Sequence, residues 1–160
     1  MTILVSDTLT RALNAQIAHE KYNSNLYMYI CGVLRGKGLD NIAKLFEEQH
    51  KEEFEHSIEF FNLLTDMNAT VIIPQIDAIS MTLDNIVLIA ETYLLREVLT
   101  TESIDEIKRL AIQEQNPVVE EKMREMIKKQ QKEYAEATTF LDKAKLMPEW
   151  YMVALWDASL

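Results

Sequence analysis

A glutamate interrupts the apolar stripe near the middle of each of four long helix-forming segments. Apolar residues recur at steps of three and four along these segments, which is the pattern of helices that turn one face to a common core. The interrupting residues are Glu20, Glu53, Glu97 and Glu133. Because helices of similar length bring their midpoints to one level when they pack side by side, the four carboxylates are predicted to share one core layer.

Residues that start or stop helices mark the ends of the segments. The predicted helices cover residues 6–36, 40–67, 82–115 and 117–145, and a short fifth helix is predicted at about 148–159. Ser6 or Asp7 can cap the first helix and Asp40 the second, and Asn116 followed by Pro117 is a cap with proline at the first helical position. The whole chain holds only three glycines and three prolines, which favours long helices and disfavours an all-β fold.

The connection between the second and third helices is the long one. Its fourteen residues, 68–81, can span about 46 Å when extended. A helix of about 27 residues is only about 40 Å long, so this connection can return along the whole bundle. The sequence therefore predicts an all-α, single-domain chain (residues 1–160), a four-helix bundle whose second and third helices run parallel across a long crossover.

The charge of the chain limits its partners. The formal net charge is -10, whereas nucleic-acid binding needs a basic face, so no nucleic-acid partner is expected. No stretch of eighteen apolar residues occurs, and the N-terminal residues lack the pattern of a signal peptide, so we expect no membrane partner and a cytoplasmic location.

The four mid-helix carboxylates need a positive partner in the core. No lysine or arginine lies beside them on the stripes, and unpaired charges are costly to bury. Two divalent ions carry the charge that balances four carboxylates. His56 follows Glu53 by three positions, so both side chains point the same way and can hold one ion together. Oxygen ligands with one imidazole favour iron or manganese, and the sequence predicts a two-metal site, with Gln130 beside it.

At these residues the chain resembles the ferritins, most closely the bacterial non-haem ferritins. The resemblance is carried by four segments in the order of the family, AHEKYNSNLY, EEFEH, ETYLLRE and KQQKE. It implies a ferritin-like bundle that binds two irons per subunit, oxidises Fe(II) with O₂, and stores ferric oxyhydroxide. It also implies self-association into a cage of twenty-four subunits, with the short fifth helix at the four-fold axes.

The resemblance also implies a role for each residue of the site. Glu20 and His56 would bind the first iron, and Glu53 would bridge the two. Glu97 and Glu133 would bind the second iron.

Two further residues accompany this ligand set by resemblance. Gln130 would act as a ligand of the second iron or as a hydrogen-bond partner. Tyr27 matches the tyrosine that ferritins place against the site, where it is thought to supply an electron or to orient oxygen-derived ligands.

At two places the sequence differs from related families, and these differences argue against a haem group and against a third iron site. Phe54 stands where bacterioferritins have the methionine that binds haem, so no haem is expected. Lys129 and Lys132 stand where some bacterial ferritins have two carboxylates of a third iron site, so only two irons are expected. Glu52, the remaining carboxylate of that site, is predicted to pair with a lysine.

Two alternatives remain open from the sequence. One is a di-iron oxygenase or peroxidase on the same bundle, which would normally need a substrate cavity and a second histidine on the fourth helix. The other is a structural cage subunit that stores iron oxidised elsewhere.

His19 and His50 lie off the stripes and are predicted to be solvated. The tail tryptophans, Trp150 and Trp156, are predicted to be buried between subunits.

Overall fold

A computed structural model describes residues 4–160, and its regular structure in that range is entirely helical. The five helices are α1 (Asp7–Arg35), α2 (Asp40–Asp66), α3 (Ile86–Gln113), α4 (Pro117–Leu146) and α5 (Trp150–Ala158). The predicted all-α bundle with a short fifth helix is confirmed.

Two of the predicted helix starts are confirmed in detail. Ser6 Oγ accepts a hydrogen bond from the backbone N–H of Leu9, and Asn116 Oδ1 accepts one from the backbone N–H of Val119. Pro117 occupies the first turn of α4, where its missing N–H costs nothing.

The other two starts differ from prediction. The third helix begins at Ile86 instead of Thr82, because Asn85 provides the cap by accepting from the Leu88 N–H at 2.8 Å. Asp40 is the first residue of α2 and not its cap; the capping position is Leu39, whose side chain has no acceptor.

The missing acceptor at the start of α2 is supplied by α5. Asp157 Oδ1 accepts a hydrogen bond of 2.7 Å from the backbone N–H of Ile42, in the first turn of α2. The side-chain amide of Asn41 donates to the carbonyl oxygen of Asp157 at 3.0 Å. A negative side chain at this position also interacts favourably with the helix dipole. The fifth helix therefore supplies the N-terminal cap of the second helix.

We predict that Asp157→Ala lowers stability, because the Ile42 N–H loses its acceptor while it stays buried. The expected loss is about 1–3 kcal/mol, which corresponds to a fall in Tm of roughly 2–12 °C for a chain of this size. Thermal unfolding followed by circular dichroism measures the change. Asp142→Ala, which truncates an exposed aspartate on α4, is the matched control and should stay within about 0.5 kcal/mol of the parent. Equal Tm values for the two variants would contradict the capping role.

Contacts at one end of the bundle establish its topology. The backbone N–H of Leu4 donates to Met67 at the end of α2, and Ser6 Oγ donates to Glu114 at the end of α3. The start of α1 therefore adjoins the ends of both α2 and α3, so these two helices run parallel, as predicted. The crossover passes along α1, because Thr70 and Ile72 bond to Asn14 near the start of that helix. Tyr29, four turns later, donates to the carbonyl oxygen of Met81.

The core consists of two apolar clusters. The first, around Tyr27, Phe46 and Phe140, includes α5, and the second, around Phe60 and Met123, lies toward the crossover end of α2. Trp156 is only 6% exposed and packs on Phe140 with ring centroids 5.1 Å apart.

The prediction that the tail tryptophans are buried between subunits is therefore wrong for Trp156, which α5 tucks into its own core. Trp150 is half-buried, with Lys37 Nζ 4.4 Å from its ring centroid.

Across residues 4–160, none of the helices has the length and apolar character that a bilayer crossing requires.

Candidate metal centre

The four mid-helix glutamates lie in the layer between the two apolar clusters, one from each helix of the bundle. Glu20, Glu53 and Glu97 are fully buried, and Glu133 is nearly so. The helical repeat places each of them on the stripe that its helix turns inward. The prediction that the four carboxylates meet in the core is borne out by this arrangement.

The carboxylates and His56 form two overlapping groups that share Glu53. Potential ligand atoms of Glu20, Glu53 and His56 lie within 4.8 Å of one another, and so do those of Glu53, Glu97 and Glu133. The His56 Nδ1 atom is 3.9 Å from Glu20 Oε2 and 3.7 Å from Glu53 Oε2. These separations are too long for hydrogen bonds but suit two atoms that each lie about 2.1 Å from one ion.

Several carboxylate oxygens in this layer are buried without a partner. Within residues 4–160, no hydrogen-bond donor reaches Glu20 Oε2, either oxygen of Glu53, or Glu133 Oε2. Buried polar atoms in folded proteins nearly always have partners, and an unpaired carboxylate is among the costliest exceptions. The unmet acceptors point inward from three helices, so the layer is built to receive positive charge.

Burial changes the acidity of these groups. It raises the pKa of Glu53 to about 8, with the charges of Glu97 and Glu133 adding to the effect. Burial likewise raises the pKa of Glu133 to about 9, helped by the charges of Glu97 and Glu20. The pKa of Glu20 lies well above its ordinary value, first through burial and then through the charge of Glu53. A bound divalent ion would favour the ionised forms and displace these protons.

Tyr27 and Gln130 both bind Glu97. The Tyr27 hydroxyl donates to Glu97 Oε1 at 2.6 Å, and Gln130 Nε2 donates to Glu97 Oε2. Burial raises the pKa of Tyr27 well above its ordinary value, so its hydroxyl keeps its proton and remains a donor at neutral pH. With the amide in this orientation, Gln130 acts as a hydrogen-bond partner that positions the carboxylate.

A family model for the ferritin-like domain matches residues 10–147, which include all four helices of the bundle. The chain belongs to the ferritin family. Among curated relatives, a probable bacterial non-haem ferritin-like protein of Haemophilus influenzae is 24% identical over 146 residues, covering 91% of this chain and 88% of the relative. A bacterial non-haem ferritin of Bacteroides fragilis is 22% identical over 142 residues, 89% of each chain.

Solved ferritin structures share the fold. The open pore ferritin of the hyperthermophilic archaeon Archaeoglobus fulgidus superposes with a TM-score of 0.92 at 23% identity, covering 97% of this chain and 96% of that one. An engineered closed form of the same ferritin gives a TM-score of 0.90 at 22% identity, over 97% and 95% of the two chains. At the level of the family, ferritin membership supports iron storage and Fe(II) oxidation.

Polar residues around the ferritin centre were missed by the sequence reasoning. Gln16, one turn before Glu20 on the same stripe, is buried and donates to Glu20 Oε1 at 3.0 Å. Its position on the apolar stripe was the signal that could have found it. Asn23 and Thr100 are also fully buried and bonded to each other at 2.9 Å.

The prediction that His19 and His50 are solvated is wrong. His19 Nε2 lies 2.6 Å from Thr100 Oγ1, and Arg96 donates to its Nδ1 at 3.2 Å. Burial, followed by the charge of Arg96, lowers the pKa of His19 to about 4, so this ring is neutral. His50 Nδ1 lies 2.8 Å from Ser24 Oγ and is part-buried between α1 and α2. Both histidines lie between two neighbouring helices. An apolar stripe identifies the residues that face the centre of the bundle, but it does not identify residues that are buried between two helices.

The predicted pairing of Glu52 with a lysine is wrong as well. In residues 4–160 no lysine forms an ion pair with it. Lys122 and Lys129 both bond to Glu59 Oε1 at 3.0 Å, two turns further along α2, and Lys132 lies 3.7 Å from Glu136. Glu52 instead lies beside Glu133 and contributes to the raised pKa of that carboxyl.

Phe54 leads to the prediction that the purified protein contains no haem. Its ring is 45% exposed on α2, with Lys21 Nζ 5.6 Å from the ring centroid, and a phenyl group offers iron no lone pair. We expect an absorbance spectrum without a Soret band after expression with added haem precursor. A near-stoichiometric Soret band would contradict this expectation.

Proposed function

We propose that this chain is a cytoplasmic ferroxidase subunit that oxidises Fe(II) with O₂ and stores the ferric product inside a cage of twenty-four copies. The observation that carries the proposal is the layer of four buried carboxylates and one imidazole, in which four carboxylate oxygens of Glu20, Glu53 and Glu133 lack partners. Two Fe(II) ions, the substrate, bring four positive charges to four carboxylates. The net charge of the layer would then be zero, and every unpaired carboxylate oxygen would have an ion to bind.

Each residue of the layer has a place in this proposal. Glu20 and His56 hold one Fe(II), and Glu53, which belongs to both groups, bridges the two. Glu97 and Glu133 hold the other Fe(II). Each Fe(II) gives up one electron, so a pair of ions supplies the two electrons that, with two protons, reduce O₂ to hydrogen peroxide.

Tyr27 and Gln130 serve the second position through Glu97. Their two hydrogen bonds occupy both oxygens of that carboxylate and fix its orientation, which is how residues beyond the ligands usually tune a metal site. The Tyr27 hydroxyl bonds to Glu97 Oε1 at 2.6 Å and orients this ligand as a hydrogen-bond donor; the iron pair alone supplies both electrons that form peroxide.

Self-association is supported by apolar side chains left exposed on the single chain. Ile72 and Ile73 on the crossover, and Tyr151 and Leu155 on α5, are exposed. Exposed apolar groups that form a contiguous patch mark contact surfaces between proteins, and each of these two pairs lies within one segment. The crossover and the fifth helix are therefore the surfaces that we expect the cage to bury.

Two other functions are separated from this one by residues of the centre. An oxygenase or peroxidase on this bundle would normally carry a histidine on α4, where the chain has Gln130 and Glu133. A purely structural storage subunit would have no use for five buried residues with ligand atoms, three of which carry unmet acceptors.

Particle size and iron loading test the proposal together. The purified protein should elute from size-exclusion chromatography as a large particle, and it should turn amber when Fe(II) added without oxygen is exposed to air. The same iron added to buffer alone is the control, and it should precipitate. A small particle that forms no soluble mineral would contradict storage.

A further inference from the structure

A cavity of about 550 Å³ is lined mainly by α2, α4 and α5, beside the first apolar cluster. Within residues 4–160, its lining includes none of the ligands proposed for the metal centre. Pockets that bind small organic molecules typically have volumes of roughly 300–1,000 Å³. The cavity therefore has the size of a small-molecule site, and the proposed oxidation of iron makes no use of it.

The buried part of the lining consists of aromatic rings that hold one another in place. Phe46, Tyr93, Phe140 and Trp156 line the cavity, and each is at most 6% exposed. The Phe46 ring centroid lies 5.3 Å from those of Tyr93 and Phe140, and the Phe140 centroid lies 5.1 Å from that of Trp156. Because these rings are already ordered, an aromatic ligand would gain contacts with them at little cost in side-chain entropy.

One polar group lies among these apolar residues without a hydrogen-bond partner. Gln49 lines the cavity from α2 and is 8% exposed. Its side-chain oxygen is buried, and no donor within residues 4–160 reaches it. Buried carbonyl acceptors in folded proteins nearly always have a partner, and leaving one unpaired is costly. A molecule that brings a hydrogen-bond donor into the cavity would satisfy this oxygen.

The charged residues of the lining are exposed and surround the aromatic part. They are three glutamates and two lysines, which are Glu48, Glu52, Glu136, Lys132 and Lys143. Lys132 Nζ lies 3.7 Å from a Glu136 oxygen, so these two charges offset each other. The five charges leave one excess negative charge, which gives an anion no net attraction to the cavity. A neutral ligand is also the least costly to transfer from water to the aromatic part.

We propose that this cavity is a binding site for a small neutral aromatic molecule that carries a hydroxyl group. The ring of the ligand packs against Phe46 and Phe140, and its hydroxyl donates to Gln49 Oε1. A hydroxyl both donates and accepts, and the lining offers hydroxyl donors in Tyr93 and Thr139 as well as the Gln49 acceptor. The site takes no part in holding metal, so this inference does not rest on the proposed function.

Three probes that share one ring system test the class of ligand. Isothermal titration calorimetry of the metal-free protein at neutral pH should show one 2-naphthol bound per subunit in the cavity. 2-Methoxynaphthalene has no hydroxyl hydrogen and should bind about fivefold to tenfold more weakly, because the Gln49 oxygen then stays unpaired. The anion 2-naphthoate should also bind more weakly than 2-naphthol. Equal affinities for 2-naphthol and 2-methoxynaphthalene would overturn the role of the hydroxyl, and tighter binding of 2-naphthoate would overturn the preference for a neutral ligand.

A variant that fills the cavity tests its location. Ala135→Trp places an indole in the cavity from an exposed position of α4 and should remove one bound 2-naphthol per subunit. Ala15→Trp, at an exposed position of α1 outside the cavity, is the matched control and should bind 2-naphthol as the parent does. Thr139→Trp, also on the cavity lining, replaces Ala135→Trp if the latter does not fold. Unchanged binding in the cavity variant, or no binding by the parent, would overturn the proposed site.

Gln49→Leu tests the polar contact, because it removes the acceptor while keeping the volume of the side chain nearly constant. The affinity for 2-naphthol should fall to that for 2-methoxynaphthalene, whose own affinity should change by less than about twofold. A preference for 2-naphthol that survives in Gln49→Leu would overturn the role of Gln49. All these titrations are made without iron, so their failure would leave the proposed oxidation and storage of iron untouched.

Discussion

Glu53→Ala should abolish rapid oxidation of Fe(II) while the helical fold is retained. Glu53 is the one residue common to both ligand groups, so its loss disturbs both ions at once. Residues that merely support metal ligands are worth 10–100-fold in affinity or activity, and a shared ligand should therefore cost at least about 100-fold. Stopped-flow absorbance of Fe(III) formation, with the protein supplied free of metal, measures the rate.

Glu55→Ala is the matched control for this variant. It removes the same side chain from an exposed position on the same helix and should oxidise Fe(II) at the parental rate. Metal-free Glu53→Ala should also be at least as stable as the parent, because it removes a buried carboxylate whose two oxygens have no partner. Rapid oxidation in Glu53→Ala would show that the reaction takes place elsewhere.

The metal-free protein should lose stability as the pH rises. Burial raises the pKa values of Glu53 and Glu133 to about 8 and about 9, above the ordinary glutamate value of 4.5. The folded protein therefore holds protons that the unfolded chain releases. Their stabilising effect is complete below pH 4.5 and is lost as the pH rises through 8 and 9. Thermal melting in the presence of a chelator, from about pH 5 to about pH 9, should show a falling Tm.

Added metal should reverse that trend. Zn(II), which binds carboxylates and imidazole without redox chemistry, should raise Tm most at the alkaline end, where the carboxylates are ionised. The Glu53→Ala variant should show a shallower fall of Tm with pH and a smaller gain from metal. A Tm that rises with pH in the metal-free parent would contradict the burial of unpaired carboxylates.

The four-helix bundle and the inward-facing residues of the centre could be predicted from the sequence, because both follow from helical periodicity. Glu20, Glu53, Glu97 and Glu133 interrupt apolar stripes at mid-helix, and residues on such stripes necessarily face the core. The length of the crossover indicated the parallel arrangement of α2 and α3, which the contacts of Leu4 with the end of α2 and of Ser6 with the end of α3 confirm.

Contacts between residues that are distant in the sequence could not be predicted from helical periodicity. The cap of α2 comes from Asp157, more than a hundred residues later, whereas sequence rules look for caps beside the helix they serve. Arg96 and His19 occupy the boundary between α1 and α3, where periodicity alone does not distinguish a bonded polar group from a solvated one. Lys129 pairs with Glu59, two turns beyond Glu52 on α2, and Lys132 pairs with Glu136; which glutamate a lysine reaches depends on how α2 and α4 are placed.

Anaerobic titration with Fe(II) tests the existence of the two-metal centre most directly. Isothermal calorimetry of the metal-free protein should give two tightly bound Fe(II) ions per subunit, with release of protons from the buried carboxyls. His56→Ala, which removes the one imidazole of the layer, should reduce the number of tight ions to fewer than two. Two tight ions in the parent and fewer in the variant are the predicted result. Binding that is absent from the parent, or equal in the parent and His56→Ala, would contradict a centre built from these residues.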